Sequence, residues 1–287
     1  MTVSGSGMGL QKMGYGMIKP IHTLKSKPMD KNQLIKQHLE GLIKQAILDL
    51  KTDFSFPRLI QQEIDQFDHV RWIPSPGIDI EEVKEQMKVD LFDLRADKKL
   101  HNLLNQIIDQ QIDIYSEEIQ GHIETQLIDN LSRIAERIPK EKSAFQLNML
   151  FLEHDFEPEA YFCGFDDTKF KFRLLSGSEY LSYEEWEWTK ELFNGVDESF
   201  DYRPFLRPCI ELEERLGEEM VEKVEEVGPG GYLGEIKKLF LLNAYLAIHI
   251  YLDRNGHKLR QLGIPMKEEV FVFGNEHDCP QLNIYVL

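Results

Sequence analysis

The spacing of hydrophobic residues changes at residues 139–143, and this change constrains the fold more than any other feature. Between about residue 30 and residue 138, apolar side chains recur every three or four positions, which is the period of an amphipathic helix. Beyond that segment, short apolar runs and alternating patterns are typical of strands. We therefore predict a helical domain at 30–142 and a second domain at 143–287, as expected for a chain of 287 residues.

In the second domain the pattern of apolar residues predicts strands first, then helices, then a final strand. Strands are expected at 145–152, 160–165 and 170–174, helices at 182–194, 208–227 and 231–254, a last strand at 269–273 and an apolar tail at 282–287. Strands and helices that are grouped, rather than alternating as βαβ units, indicate the α+β class. The predicted architecture is a helical N-terminal region followed by an antiparallel sheet packed with helices.

The longest periodic stretch of the helical domain runs from residue 97 to residue 138. It forms either one helix of about 40 residues, roughly 60 Å long, or two helices that are broken near 114–118 or kinked at Gly121. Helices of this length could also mediate self-association, which makes a scaffold or assembly protein one alternative function. Residues 1–29 alternate Gly with Met, Tyr and Ser without periodicity, so we predict a flexible tail.

Negative charge is concentrated in one part of the chain. The net charge is −17, and residues 153–228 hold 22 acidic and 8 basic side chains. Such a balance, with a pI near 5.0, argues against binding to nucleic acid, which requires clustered Lys and Arg. A basic protein partner is the better match, because an acidic surface steers the association of a positively charged molecule.

Glutamates and aromatic residues lie together in this acidic segment. We read residues 208–227 as one helix in which like charges four residues apart repel, as between Glu214 and Glu218. This repulsion suggests a docking face, although a solvated acidic surface explains the segment on its own slightly better. The predicted partner-binding residues are Trp186, Trp188, Glu214, Glu218, Glu219 and Glu222.

A repeated Glu-His-Asp tripeptide offers an alternative with catalytic chemistry. It occurs at residues 153–155 and again at 276–278, each time after a predicted strand. If those strands pair, four side chains could converge on a divalent metal and support a hydrolase. These low-priority metal candidates are His154, Asp155, His277 and Asp278. The spacing matches no established zinc motif, so loop or strand-end polar residues are the preferred interpretation, and no cofactor is predicted.

Other candidate sites are better explained by structure. Cys209 follows Pro208 at a predicted helix start, but a buried inert thiol is the favoured interpretation. His249 lies among apolar residues, which predicts a hydrogen-bonded core histidine. The paired residues Asp166 and Asp167 indicate a turn, and the Gly-Pro-Gly-Gly run at 228–231 indicates a helix end and a tight turn.

Cysteine content and hydropathy indicate where the protein resides. Three cysteines without a CxxC spacing favour a reducing compartment, and we expect a cytoplasmic protein. The longest nearly apolar run, Leu239–Leu252, is too short for a spanning helix, so a buried helix is expected and a membrane is not.

The order of strands, the motif Ser182-Tyr183-Glu184-Glu185-Trp186, acidic helices and a final strand resembles immunity proteins encoded beside bacterial polymorphic toxins. The resemblance covers residues 143–287 and implies an intracellular antidote that binds and blocks a cognate toxin without catalysis. The leading hypothesis is thus a non-enzymatic protein-binding module, and its most concrete form is an immunity protein of this kind.

Overall fold

The computed structural model describes residues 30–52, 97–142, 144–154, 158–166, 169–176, 181, 190–225, 231–276 and 280–287. These residues form α1 (Lys31–Thr52), α2 (Lys98–Ile108), α3 (Glu117–Arg137), a 3-10 turn (Lys140–Lys142), β1 (Leu147–His154), β2 (Glu159–Phe165), β3 (Glu191–Asp201), α4 (Arg203–Leu216), α5 (Glu218–Glu225), α6 (Gly231–Leu259), β4 (Met266–Glu276) and β5 (Leu282–Val286). The predicted tail at 1–29 and residues 226–230, which include most of the predicted Gly-Pro-Gly-Gly turn, lie outside this set.

The predicted long helical stretch is two helices, α2 and α3, separated by residues 109–116. Each helix begins at a polar cap. The Asp97 side chain accepts hydrogen bonds from the backbone N–H groups of Lys99 and Leu100, and the Ser116 hydroxyl accepts one from Ile119. Such caps satisfy N–H groups that have no partner within the helix. The predicted apolar stripe is the buried face of both helices.

The five strands form one mixed sheet in the order β3-β2-β1-β4-β5. The α+β class is confirmed, with helices packed on the sheet. Three of the four strand pairs are antiparallel, as predicted, but the central strands β1 and β4 are parallel. A parallel pair requires a crossover connection, and here the chain between β1 and β4 includes β2, β3 and three helices.

The predicted third strand at 170–174 is wrong. Residues 169–175 pair with no strand, and the rings of Phe170 and Phe172 instead pack on Phe271, with centroids 4.8 and 6.3 Å away. Their alternation therefore reflects packing across one face of the sheet. The third strand of the meander is β3, so the helix predicted at 182–194 is wrong over its last residues, 191–194. Residues 182–189 of that predicted helix lie outside the described residues.

One hydrophobic core runs through the described residues. It includes Ile35 of α1, Leu104 of α2 and Leu131 of α3 together with the sheet and α6. Helix α1 packs on α6 and β5, and α3 packs on β3 and α6. The residues on either side of the predicted boundary at 139–143 thus bury apolar surface against each other.

Side chains of α3 cover the outer edge of β3. An edge strand directs the N–H and C=O groups of alternate residues away from the sheet, where they need other partners. The imidazole of His122 donates to the Asp201 carbonyl at 2.7 Å, and the Gln126 amide oxygen accepts from the Asp201 N–H at 3.2 Å. The amide of Asn130 donates to the Ser199 carbonyl at 2.7 Å. Their four-residue spacing places the three side chains on one helix face.

The outer edge of β5 is covered in the same way by other elements. The Asn32 amide, on α1, donates to the Val286 carbonyl at 2.9 Å and accepts from the Val286 N–H at 2.8 Å. His249, on α6, donates from Nδ1 to the Ile284 carbonyl at 2.7 Å. A backbone bridge joins Ser176 to Leu282. Alternate residues of this edge strand therefore find partners outside the sheet.

Candidate functional site

The predicted acidic helix is interrupted. Gly217 has a φ of 75°, a left-handed conformation that favours glycine, and its N–H bonds to the Glu213 carbonyl. It ends α4 and separates it from α5, so the prediction of one helix at 208–227 is wrong. Glu214 and Glu218 lie on different helices. The expected i,i+4 repulsion between them therefore does not apply.

Helix α4 begins at Arg203, five residues earlier than predicted. Proline at residue 204 suits the first turn of a helix, since it needs no N–H partner there. Pro208 and Cys209 are consequently inside the helix and buried. Burial raises the pKa of the Cys209 thiol to about 12, with smaller opposing effects of Lys237 and Glu213. The interpretation of Cys209 as a buried, unreactive thiol is confirmed.

Several acids of α4 have basic partners. Arg207 bonds to Glu211 at 2.9 Å within the helix, and Lys237 of α6 lies 2.9 Å from Glu213. Arg215 of the same helix donates to the Gln106 side chain of α2 at 3.5 Å. The charge of this helix is thus partly neutralised by Arg207 within the helix and by Lys237, which the sequence pattern could not place beside Glu213.

Two of the predicted partner-binding glutamates lack such compensation. Glu214 and Glu218 are exposed, and neither forms an ion pair with any described residue. Ile210, one turn before Glu214, is 39% exposed and places apolar contact area beside that charge. Sequence reasoning missed it, although the i,i+4 spacing to Glu214 is visible in the chain. We call Ile210, Glu214 and Glu218 the outer face of α4 and α5.

The remaining predicted partner-binding residues are not placed by the structure. Glu219 and Glu222 belong to α5, but their side chains lie outside the described residues, as do Trp186 and Trp188 entirely. The aromatic part of the predicted docking face therefore stays a prediction.

The strands that carry the two Glu-His-Asp tripeptides do pair. β1 and β4 run parallel with His154 opposite Glu276, so their carboxyl ends lie at the same edge of the sheet. His154 is buried, and its ring meets that of Tyr202 edge-on at 5.9 Å. Asp155, His277 and Asp278 lie outside the described residues. Among the residues that are described, no three His, Cys, Asp or Glu side chains are grouped to hold a metal ion.

Tyr202 forms the centre of an aromatic cluster beside this edge. Its ring contacts those of His154, Phe200, Phe205 and Tyr245, and its side chain is fully buried. The hydroxyl has no hydrogen-bond partner in the described part of the chain. Burial, together with the neighbouring Tyr245 hydroxyl, raises the pKa of Tyr202 far above its usual value. The Tyr202 phenol therefore stays neutral and packs as a hydrophobic side chain.

Cys163 is also unsuited to nucleophilic chemistry. Its thiol lies 3.7 Å from a Glu153 carboxylate oxygen, to which it donates, and 3.7 Å from the Asn194 amide oxygen. Burial, followed by the charge of Glu153 and the hydrogen bond to it, raises the pKa of Cys163 to about 12. The reactive thiolate is thus scarce at neutral pH.

Asp166 and His249 have structural partners. Partial burial would raise the pKa of Asp166, but hydrogen bonds from Lys267 and from the Gln146 N–H lower it below its usual value. His249 is buried and bonded to the Ile284 carbonyl, which confirms the prediction of a hydrogen-bonded core histidine.

The described helices include none with the length and apolar composition that crossing a membrane requires. Comparisons with protein-family models, curated proteins and solved structures give no match to this chain. The resemblance to immunity proteins therefore stays a hypothesis.

Proposed function

We propose that the protein is an intracellular protein-binding module that uses the outer face of α4 and α5 to bind a basic partner. The observation that carries the proposal is the contrast among neighbouring acids. Glu211 and Glu213 have basic partners within the protein, whereas Glu214 and Glu218 are exposed and form no ion pair with the described residues. Charges left without partners on a surface are available to steer and orient a cationic molecule.

The environment of these glutamates supports a protein rather than a small cation. Ile210 is exposed beside Glu214, so the face combines apolar contact area with negative charge, as interface centres and their rims do. The outer edges of β3 and β5 are occupied by the protein's own side chains at the positions described above. Binding through a helix face is therefore a better match than addition of a partner strand.

The most concrete form of this function is an immunity protein that neutralises a cognate toxin in the cytoplasm. Trp186 and Trp188 would then supply the aromatic contacts that dominate binding energy at many interfaces. This form depends on the resemblance of residues 143–287 to immunity families, and no catalytic activity is proposed.

Charge reversal tests the proposal. Wild-type protein and the Glu214→Lys/Glu218→Lys variant are compared in capture of partners from native lysate and in association kinetics with the captured protein. We expect the variant to associate at least about tenfold more slowly at low salt, with a smaller difference at high salt, because surface charges act mainly on the association rate.

The matched control is Asp129→Lys/Glu136→Lys, which makes the same change in net charge on exposed positions of α3. This control should bind as the wild type does. Equal slowing in both variants would show that only total charge matters, and normal binding by Glu214→Lys/Glu218→Lys would refute the proposed face.

A further inference from the structure

The seam between α1, α6 and β5 contains a histidine at the point where the edge strand is covered. His249 is only 2% exposed, and its ring lies edge-on to Tyr285 with centroids 5.2 Å apart. Its Nδ1 donates to the Ile284 carbonyl, two residues before the Val286 groups that bond to Asn32. The imidazole and the Asn32 amide therefore act on the same strand from two helices.

The charged groups around His249 come from α1 and α6, and β5 contributes a neutral hydroxyl. Lys36 and Glu40 belong to α1 and Asp253 to α6, and Asp253 also accepts a hydrogen bond from the Tyr285 hydroxyl of β5. The two carboxylates favour a charged imidazole, whereas Lys36 opposes it. Burial is the largest effect and lowers the pKa of His249 despite the Ile284 hydrogen bond. The native seam thus contains a neutral histidine.

We propose that this seam is an acid-sensitive latch, in which a second proton on His249 releases α1 and uncovers the outer edge of β5. The proton would be added at Nε2, because Nδ1 already carries the hydrogen given to the Ile284 carbonyl. An imidazolium in this buried position loses its hydration, and opening of the seam restores it. Opening also separates Asn32 from Val286 and leaves that residue's N–H and C=O groups exposed.

The direction of the pH dependence follows from proton linkage. In the open seam His249 takes up a proton with an ordinary midpoint of about 6.5, and in the closed seam only at lower pH. Between these two midpoints the open form carries more bound protons than the closed form does. The latch is therefore fully closed above about pH 6.5 and weakens as the pH falls towards the pKa of the closed form.

Hydrogen exchange at the Val286 amide tests the proposal, since that N–H donates to Asn32. Protection factors, corrected for the intrinsic pH dependence of exchange, are measured at about pH 7.5 and about pH 5, on either side of the ordinary histidine midpoint. We expect protection of Val286 to fall by up to about 30-fold between these two pH values, because pH 5 lies about 1.5 below the ordinary midpoint of 6.5. The amide of Leu150, in the central strand β1, should keep its protection.

The matched variants separate titration from hydrogen bonding. His249→Asn keeps an amide donor for the Ile284 carbonyl but cannot be protonated, so its Val286 protection should not depend on pH. His122→Asn changes the histidine that bonds to the opposite edge strand and should behave at Val286 as the wild type does.

Unchanged Val286 protection in the wild type, or an equal fall in His249→Asn, would overturn the proposal. If His249→Asn does not fold, an NMR titration of the imidazole in the wild-type protein decides the question. A midpoint below the ordinary value of about 6.5 supports the latch, and a midpoint at or above that value contradicts it.

Discussion

At both edges of the sheet neutral side chains bond to the backbone of the edge strand, but at β3 a charged cluster lies beside them, whereas at β5 one of the covering groups is a buried histidine. Beside the α3 hydrogen bonds, the buried carboxylate of Glu198 pairs with Arg137 and with Arg133, the latter at 3.4 Å, and both arginines reach solvent. At the other edge the polar groups are the Asn32 amide and the buried imidazole of His249. The unpaired backbone groups thus find neutral side-chain partners at both edges, and the β3 edge adds the ion pairs of Glu198 with two arginines.

The difference teaches that edge cover and pH response can be separated within one sheet. Arginine stays protonated at any physiological pH, so the positive charges that Arg133 and Arg137 place beside Glu198 do not change in that range. A neutral histidine gives the β5 edge a dependence on proton concentration instead. The following substitutions test this comparison.

The largest effect is expected at the β3 edge. Arg133→Ala/Arg137→Ala leaves the Glu198 carboxylate buried without its two partners, and we expect the free energy of unfolding to fall by about 3 kcal/mol. Urea denaturation measures the change. Adding Glu198→Gln removes the unpaired charge and should recover part of the loss. A decrease of less than about 1 kcal/mol in the double variant would mean that solvent already compensates the carboxylate.

A smaller effect is expected from removal of the amide that covers β5. Asn32→Ala deletes both hydrogen bonds to Val286 and should lower the free energy of unfolding by about 2 kcal/mol. Asn102→Ala, at an exposed position of α2, is the control and should change it by less than about 0.5 kcal/mol. Thermal and urea unfolding give both values. Equal effects of the two variants would contradict the role of Asn32 at the edge.

The smallest changes in unfolding free energy are expected from two tyrosine hydroxyls, one in the core and one beside the β5 edge. The Tyr202 hydroxyl is buried without a partner among the described residues, so Tyr202→Phe should raise the free energy of unfolding by about 1 kcal/mol. Tyr285→Phe deletes a hydroxyl that donates to Asp253 and should lower it by about 1 kcal/mol. Calorimetry of both variants checks the opposite signs. Destabilisation by Tyr202→Phe would indicate that a bound water or ligand satisfies the hydroxyl.

The elements that could be predicted from sequence are those in which the apolar pattern follows directly from the buried face of the helix or strand itself. The stripes of α2 and α3 and the runs of β1 and β2 are buried as predicted. β3 could not be predicted because its register with β2 shifts twice, between Tyr161 and Phe162 and between Gly164 and Phe165. Such irregularities break the alternation that identifies a strand.

The candidate site was predictable to a smaller extent. The exposed charges of Glu214 and Glu218 followed from sequence, but the compensation of Glu213 depends on Lys237, which only the tertiary packing of α6 brings near. The break at Gly217 had a visible signal, since glycine commonly ends helices. The convergence of the two tripeptide strands was a condition in the prediction, and the pairing of β1 with β4 meets it.

The parallel pairing of β1 with β4 has a consequence for the order of folding. Glu153 pairs with Asn275, so the centre of the sheet joins residues that are far apart in the chain. The β1–β2 hairpin can form early, but one side of β1 has no partner until residues 266–276 have been synthesised. During that interval an apolar strand edge is open to other chains, and assembly is slow because distant segments must meet. Until β4 is made, the open side of β1 is therefore the part of the sheet from which aggregation of a nascent chain is expected to start.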